Sequence, residues 1–164
     1  MALNKIIIHW TAGTYQPTEH EYQCYHYLIT GDALLVLGRC SPEDNENCYD
    51  GKYAQHCGGG NTGSIGIACC GMANFKNSRN VGQYPLKKPQ VEKLFKTIAE
   101  VSKKYKIPIT KDNVMTHYEF GLKHPNTSSK GKIDIIYLPP YSWISAKEMG
   151  DFIRNKAIWY LKNM

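Results

Sequence analysis

The sequence contains no long apolar run and none of the short signatures that mark common ligand-binding folds. No stretch of its 164 residues approaches the ~20 apolar residues of a membrane-spanning helix, so we expect no membrane insertion. The six cysteines form no C-x-x-C pair, which argues against a structural zinc knuckle. Zinc-finger, RNP and glycine-rich phosphate-binding motifs are also missing, so we expect no nucleic-acid partner.

The beginning of the chain lacks the features of a secretion signal. Its only apolar run there is too short for the hydrophobic region of a signal peptide. We therefore expect the protein to be made in the cytoplasm, and action outside it would need a separate export or release route. Reduced and mostly buried thiols are then the default, although a bridge from Cys48 to Cys40 or to Cys57 stays open.

The composition is that of an ordinary soluble globular protein. Hydrophobic residues make up 42% of the chain and charged residues 21%. There is no internal repeat and no linker, so we expect one domain over residues 1–164, without a second binding module. The net charge of +6 favours anionic partners. Much of that charge comes from lysines between residues 87 and 106, on the polar face of a predicted helix, which indicates a solvated surface.

Hydrophobic periodicity predicts five strands and three helices along the chain. The strand that contains residues 64–71 consists of small and apolar residues and should lie in the middle of the sheet. The two strands before it are joined by a short polar turn and should form a hairpin. Strands are predicted at residues 5–10, 25–29, 34–37, 64–71 and 113–117, and helices that start at Thr18, Pro89 and Ser145.

Two predicted strands carry a histidine where they meet a loop. His9 follows three consecutive isoleucines, and His117 follows the apolar run that begins at Val114. Two such strands can bring both imidazoles to the same edge of one sheet. Together with Asp134 they could form a catalytic zinc site, which uses histidine and carboxylate ligands and keeps one position open. The alternative is a pair of partly buried histidines that only bond to backbone carbonyls.

The first strand of the predicted hairpin carries two further polar aromatic side chains. The period of two puts Tyr25 on the same face as Tyr27, with His26 on the opposite face. We therefore expect that Tyr25 and His26 do not face one site.

Five segments occur in an order typical of one protein family. They are residues 8–13 (IHWTAG), 25–39, 56–67, 116–117 (TH) and 132–134 (KID). In this order the chain resembles the zinc-dependent N-acetylmuramoyl-L-alanine amidases of the phage amidase-lysozyme and peptidoglycan recognition protein superfamily, also called amidase type 2. The resemblance covers nearly the whole chain. It implies an α/β fold with a central mixed β-sheet flanked by helices.

The resemblance also implies a reaction and a set of residues for it. The reaction is hydrolysis of the amide that joins N-acetylmuramic acid to L-alanine in peptidoglycan. His9, His117 and Asp134 match the three ligands of Zn²⁺. Lys132 matches a lysine that stabilises the oxyanion, and Tyr25 matches a tyrosine that positions or deprotonates the attacking water.

The expected partner is peptidoglycan, with its glycan strand and stem peptide in a groove above the zinc. His56 matches a histidine that lines this groove, and we assign Trp10 and Asn61 to substrate binding there. The Pro-Gly that usually follows the third ligand is absent and the preceding loop is long, so His124 is a rival third ligand. We favour Asp134 because Lys132 keeps its place two residues ahead.

Several functions fit this resemblance. The first is a monomeric phage or prophage endolysin that acts on the cell wall after release. A cytoplasmic amidase that recycles muropeptides would use the same chemistry. A non-catalytic peptidoglycan-binding module with a structural zinc is the alternative from another class.

Overall fold

The strands of the structure form one mixed sheet, as the resemblance predicts. The computed structural model describes residues 2–164. Its strands are β1 (Lys5–Trp10), β2 (Tyr27–Ile29), β3 (Leu35–Leu37), β4 (Ser64–Cys69) and β5 (Val114–Thr116). They lie in the order β3-β2-β4-β1-β5, with β4 in the middle as expected. Only the β2–β3 hairpin is antiparallel, and the other three pairs are parallel.

The helices begin where the sequence provides start signals. The Thr18 hydroxyl accepts a hydrogen bond from the backbone of Glu21, and Pro89 occupies the first turn of the longest helix. The helices are α1 (Glu19–Cys24), α2 (Lys88–Tyr105), α3 (His117–Lys123) and α4 (Ala146–Lys162). No helix among residues 2–164 combines the length and apolarity needed to cross a membrane.

Helix α3 differs from the prediction. The sequence pattern predicts a strand through His117 and an irregular segment after it, but β5 stops at Thr116. The Thr116 hydroxyl accepts a hydrogen bond from the backbone N–H of Glu119, whose carboxylate accepts one from the Thr116 backbone. This capping box starts a helix immediately after the strand. His117 is therefore the first residue of α3.

One face of the sheet is apolar and the other carries polar side chains. On the apolar face, isoleucines of β1 and β4 pack against α2 and α4, and burying each such side chain stabilises the fold by roughly 1.5–3 kcal/mol. On the opposite face, Ile7 and His9 of β1 lie beside Gly66 and Ala68 of β4. The main members of the apolar cluster are Ile6, Ile8, Ile65, Ile67, Leu94, Phe95, Ile98 and Ile153.

The expected position of Tyr25 is wrong. Tyr27 joins the large apolar cluster, whereas Tyr25 packs with Leu28 on the other face of the sheet. Tyr25 precedes β2 and serves as the C-terminal cap of α1, so the alternation of the strand does not extend to it. The alternation of side chains along a strand therefore does not place Tyr25 and His26 on opposite faces of the sheet.

All six cysteines are free thiols in the described part of the chain. Cys57, Cys69 and Cys70 are buried. Neither bridge considered for Cys48 is formed.

Candidate metal centre

Parallel pairing brings the two predicted histidines to one edge of the sheet. Ile8 of β1 pairs with Thr116 of β5 in parallel, so the next residues, His9 and His117, lie side by side at the same end of the two strands. Asp134 comes from a loop that is tied to α3, because the Tyr118 N–H donates to the Asp134 carbonyl at 2.7 Å. Three distant segments thus converge on one point.

The side chains of His9, His117 and Asp134 form a tight buried group. His9 Nδ1 lies 2.8 Å from Asp134 Oδ2, and His117 Nδ1 lies 3.2 Å from Asp134 Oδ1. One potential ligand atom from each residue lies within 4.8 Å of the other two. Within residues 2–164 this is the only histidine, cysteine and carboxylate cluster of that kind.

Proximity shifts the protonation of all three groups. Burial raises the pKa of Asp134, but hydrogen bonds from His117 and His9 outweigh it and hold that pKa below its usual value. Burial lowers the pKa of His117, yet hydrogen bonds to Asp134 and Cys57 raise it to about 9. For His9 burial dominates, and its pKa is lowered. At neutral pH the centre therefore contains an ionised carboxylate and a neutral His9.

The donor set fits a zinc ion. Both histidines direct Nδ1 towards the shared carboxylate, and their Nε2 atoms have other partners. His9 Nε2 lies 3.1 Å from His56 Nδ1, and His117 Nε2 lies 2.9 Å from Ser129 Oγ. Two imidazoles and one carboxylate are a common ligand set of catalytic zinc, whose histidines usually bond through the second nitrogen to a fixed partner.

A cavity of about 470 Å³ opens over this group. The ring of Tyr25 lies 5.1 Å from that of His9, and Lys132 is exposed in the cavity wall. Burial and the nearby Asp134 carboxylate raise the pKa of Tyr25, so its hydroxyl keeps its proton at neutral pH. Asp134 is the only carboxylate among the described residues that line the cavity.

Two residues assigned to substrate binding lie at the cavity wall but are largely buried. His56 is 5% exposed and Trp10 is 4% exposed. The Trp10 ring packs against Phe75 at 5.0 Å, and His56 contacts His9. Both therefore have structural partners in addition to the surface that they offer to the cavity.

Asn61 and His124 lie elsewhere. The Asn61 side chain accepts hydrogen bonds from the backbone N–H groups of His56 and Cys57, at 3.1 and 2.8 Å. His124 packs on Phe120, with ring centroids 4.3 Å apart, and is not part of the group at Asp134. Asn61 and His124 line a different cavity. Asn61 therefore does not line the cavity over Asp134, and the geometry favours Asp134 as the third ligand.

Sequence reasoning missed two polar residues that support the centre. Ser129 is fully buried and contacts His117, and His26 packs against His56 with ring centroids 5.7 Å apart. His26 Nδ1 accepts from the Gly66 N–H at 2.9 Å, and its Nε2 lies 2.9 Å from Asn45 Oδ1. No short motif connects these residues to the ligands, so only their positions in the fold reveal them.

The sequence pattern of one family, described as N-acetylmuramoyl-L-alanine amidase, matches residues 1–134. The chain belongs to this family. The match covers most of the chain and ends at Asp134, the third residue of the buried group. A comparison with curated proteins found no match.

Solved structures show that the family fold is present. The chain is similar to a mutant of PlyL, with 20% identity, a TM-score of 0.51 and coverage of 100% of this chain and 87% of that chain. It is similar to AmiD from E. coli, with 16% identity, a TM-score of 0.53 and coverage of 94% and 57%. It is also similar to Drosophila peptidoglycan recognition protein SD, with 19% identity, a TM-score of 0.50 and coverage of 77% and 74%.

Proposed function

We propose that this member of the amidase family uses zinc to hydrolyse the amide between N-acetylmuramic acid and L-alanine in peptidoglycan. The observation that carries the proposal is the convergence of His9, His117 and Asp134 beneath an open cavity. Family membership supplies the reaction type. AmiD was solved with anhydro-N-acetylmuramic acid-L-Ala-D-γ-Glu-L-Lys as its substrate, which supports a substrate of the same class here.

His9, His117 and Asp134 would hold the metal. When bound there, zinc supplies Lewis acidity and lowers the pKa of a water molecule towards neutrality. The shared carboxylate reduces the net charge of the centre, and burial excludes bulk water around the ligands. His117 must release its extra proton when it becomes a ligand, because only the neutral imidazole offers a lone pair.

Lys132 is the residue that we assign to the oxyanion. It is exposed in the cavity wall two residues before Asp134, and its flexible side chain can bring the ammonium to a carbonyl oxygen above the centre. A positive group at the place where negative charge develops lowers the barrier of amide hydrolysis.

Tyr25 is assigned to orienting the reacting groups. Its hydroxyl stays protonated at neutral pH, so it can donate a hydrogen bond but is a poor base. Since Asp134 already serves both histidines, the described cavity wall offers no free carboxylate to act as a general base. Proton transfer to the leaving amine then falls to Tyr25, to Lys132 or to solvent.

We propose further that residues 1–164 act as one catalytic domain and as a monomer on the cell wall, in the role of an endolysin. The net charge of +6 favours retention on an anionic wall polymer. A muropeptide-recycling amidase would act on soluble fragments instead. Comparing intact sacculi with soluble muropeptides as substrates therefore separates the two roles.

The central test is digestion of purified sacculi, with new L-alanine amino termini counted by mass spectrometry. We expect release that stops with a chelator, returns with zinc, and falls in Lys132→Ala. Binding to sacculi without any new L-alanine termini, with or without zinc, would instead identify a non-catalytic binding module.

A further inference from the structure

We propose that His56 and Ser129 are positioning residues that determine which ring nitrogen His9 and His117 present to the metal. We also propose that Asn61 holds both supports in place through one loop. The proposal rests on the metal centre described above and extends it to residues outside the ligand set.

The support for His9 is a buried chain of two imidazoles. His56 Nε2 lies 3.4 Å from the Ser64 carbonyl oxygen, which can only accept a hydrogen bond. The His56 ring therefore directs an Nε2–H at this carbonyl, and its Nδ1 faces His9. In the metal-loaded protein, where the metal takes the place of the His9 Nδ1 hydrogen that Asp134 accepts here at 2.8 Å, His56 Nδ1 can accept the His9 Nε2–H across the 3.1 Å that separates the two nitrogens. This arrangement leaves His9 Nδ1 as the ligand atom.

The fold leaves room for this ring only because β4 has a glycine below it. A Cβ atom at Gly66 would lie 2.5 Å from Cγ of His56. The His56 imidazole therefore packs directly on the backbone of β4. This contact fixes the distance of the ring from the sheet and so its position relative to His9.

The support for His117 uses a hydroxyl in place of an imidazole. Ser129 Oγ lies 2.7 Å from the carbonyl oxygen of Gly58 and donates its single hydrogen there. Its oxygen can then accept His117 Nε2–H at 2.9 Å. His117 Nδ1 is thereby left facing Asp134 and the metal.

Both supports depend on the same loop. His56 and Gly58 lie two residues apart, and the side-chain carbonyl group of Asn61 accepts the N–H groups of His56 and Cys57. The Asn61 backbone carbonyl is in turn held by the Asn45 side chain at 3.1 Å. A substitution at Asn61 should therefore disturb His56 and Ser129 and, through them, both histidine ligands. Asn61 itself lies outside the cavity over Asp134 and outside the metal centre.

The test measures zinc affinity by chelator competition in Ser129→Ala and His56→Phe. Loss of one such partner typically weakens metal binding 10–100-fold, and we expect a loss in roughly that range for each variant. Ser128→Ala is the matched control, because Ser128 is the exposed neighbour of Ser129 and should leave the affinity unchanged.

Restoring variants distinguish orientation from general damage. Ser129→Thr keeps the hydroxyl, and His56→Asn places an amide oxygen near the position of Nδ1, so both should recover most of the affinity. Asn61→Asp keeps an acceptor for the two N–H groups and should bind zinc more tightly than Asn61→Ala. Nitrogen-15 spectra of the zinc-loaded protein should show Nε2–H on both His9 and His117, with mixed forms in the weakened variants.

Zinc affinities equal to that of the unchanged protein, together with unaltered imidazole spectra, would overturn the positioning roles and leave the amidase proposal intact. Zinc binding without release of L-alanine would overturn the amidase proposal and leave the positioning roles intact. Absence of zinc binding in the unchanged protein would overturn both.

Discussion

His9 Nδ1 lies 2.8 Å from Asp134 Oδ2, although 125 positions separate the two residues in the sequence. The carboxylate also reaches His117 Nδ1 at 3.2 Å, so it bridges both imidazoles. The bridge raises the pKa of both histidines, but burial outweighs it at His9 and not at His117, so the two pKa values differ. The bridge also means that a third ligand is already in place.

The first prediction concerns the identity of the third ligand. Asp134→Asn should weaken zinc binding by more than about 100-fold, since loss of a partner outside the ligand set alone costs roughly 10–100-fold. Amidase activity should be lost in parallel. His124→Ala is the control, because His124 packs on Phe120 away from the centre. Loss of zinc in His124→Ala with retention in Asp134→Asn would reverse the assignment.

The second prediction separates catalysis from metal binding. Lys132→Ala should lower kcat by roughly 10²–10³-fold, the usual effect of removing an oxyanion donor. Zinc affinity should stay within a few-fold, because Lys132 is not a ligand. Lys130→Ala removes another exposed lysine two residues away and should leave kcat unchanged. Equal losses in both variants would indicate a general electrostatic effect on wall binding.

The third prediction is an acid-sensitive step in stability. Burial lowers the pKa of His26 to about 4, against 6.5 in the unfolded chain. Because the unfolded state binds the proton more readily, the contribution of His26 is complete above pH 6.5 and is lost as pH falls towards 4. The loss amounts to roughly 3 kcal/mol.

Denaturant unfolding of zinc-free protein across this pH window measures the step. His26→Gln is expected to be less stable at neutral pH but to lose less stability on acidification. His124→Gln removes an exposed histidine and should keep the slope of the unchanged protein. Identical slopes in all three proteins would show that the step originates elsewhere.

The fourth prediction concerns the ion pair between Arg154 of α4 and Glu119 of α3. Arg154 donates to both carboxylate oxygens of Glu119, at 2.9 and 3.0 Å, and to the Val114 carbonyl at 3.0 Å. Glu119 also completes the cap that positions His117. Arg154→Met should therefore lower the free energy of unfolding by about 2–3 kcal/mol, because it leaves a partly buried carboxylate without its partner.

The control for the Arg154–Glu119 pair is Asp151, a second carboxylate that accepts from Arg154. Asp151 bonds to Arg154 from a largely exposed position, so Asp151→Asn should cost less than about 1 kcal/mol. Thermal or denaturant unfolding gives both values. A larger loss in Asp151→Asn than in Arg154→Met would contradict the proposed role of Glu119.

Local patterns in the sequence were sufficient for most of the architecture. The capping residue Thr18 and the first-turn residue Pro89 placed two helix starts, and the apolar composition of residues 64–71 placed β4 at the middle of the sheet. These predictions succeeded because burial on both faces and helix capping depend on neighbours within a few residues.

The errors have a different origin. Tyr25 lies outside the strand whose alternation was used to orient it, and α3 begins on a capping box formed by Thr116 and Glu119 directly after β5. Ser129 and His26 carry no local signal because their partners lie in other elements. The contacts of the Asn61 side chain with the backbone of its own loop likewise carry no signal in the sequence of that segment.

The sequence by itself determined the order of strands and helices, the family resemblance and the residue types able to hold zinc, since each is written in short contiguous stretches. Only the tertiary structure decided that Asp134 and not His124 meets His9 and His117, and that buried partners occupy their second nitrogens. The physical reason is that hydrogen-bond direction and ligand distance depend on how separate segments pack, which no local pattern specifies.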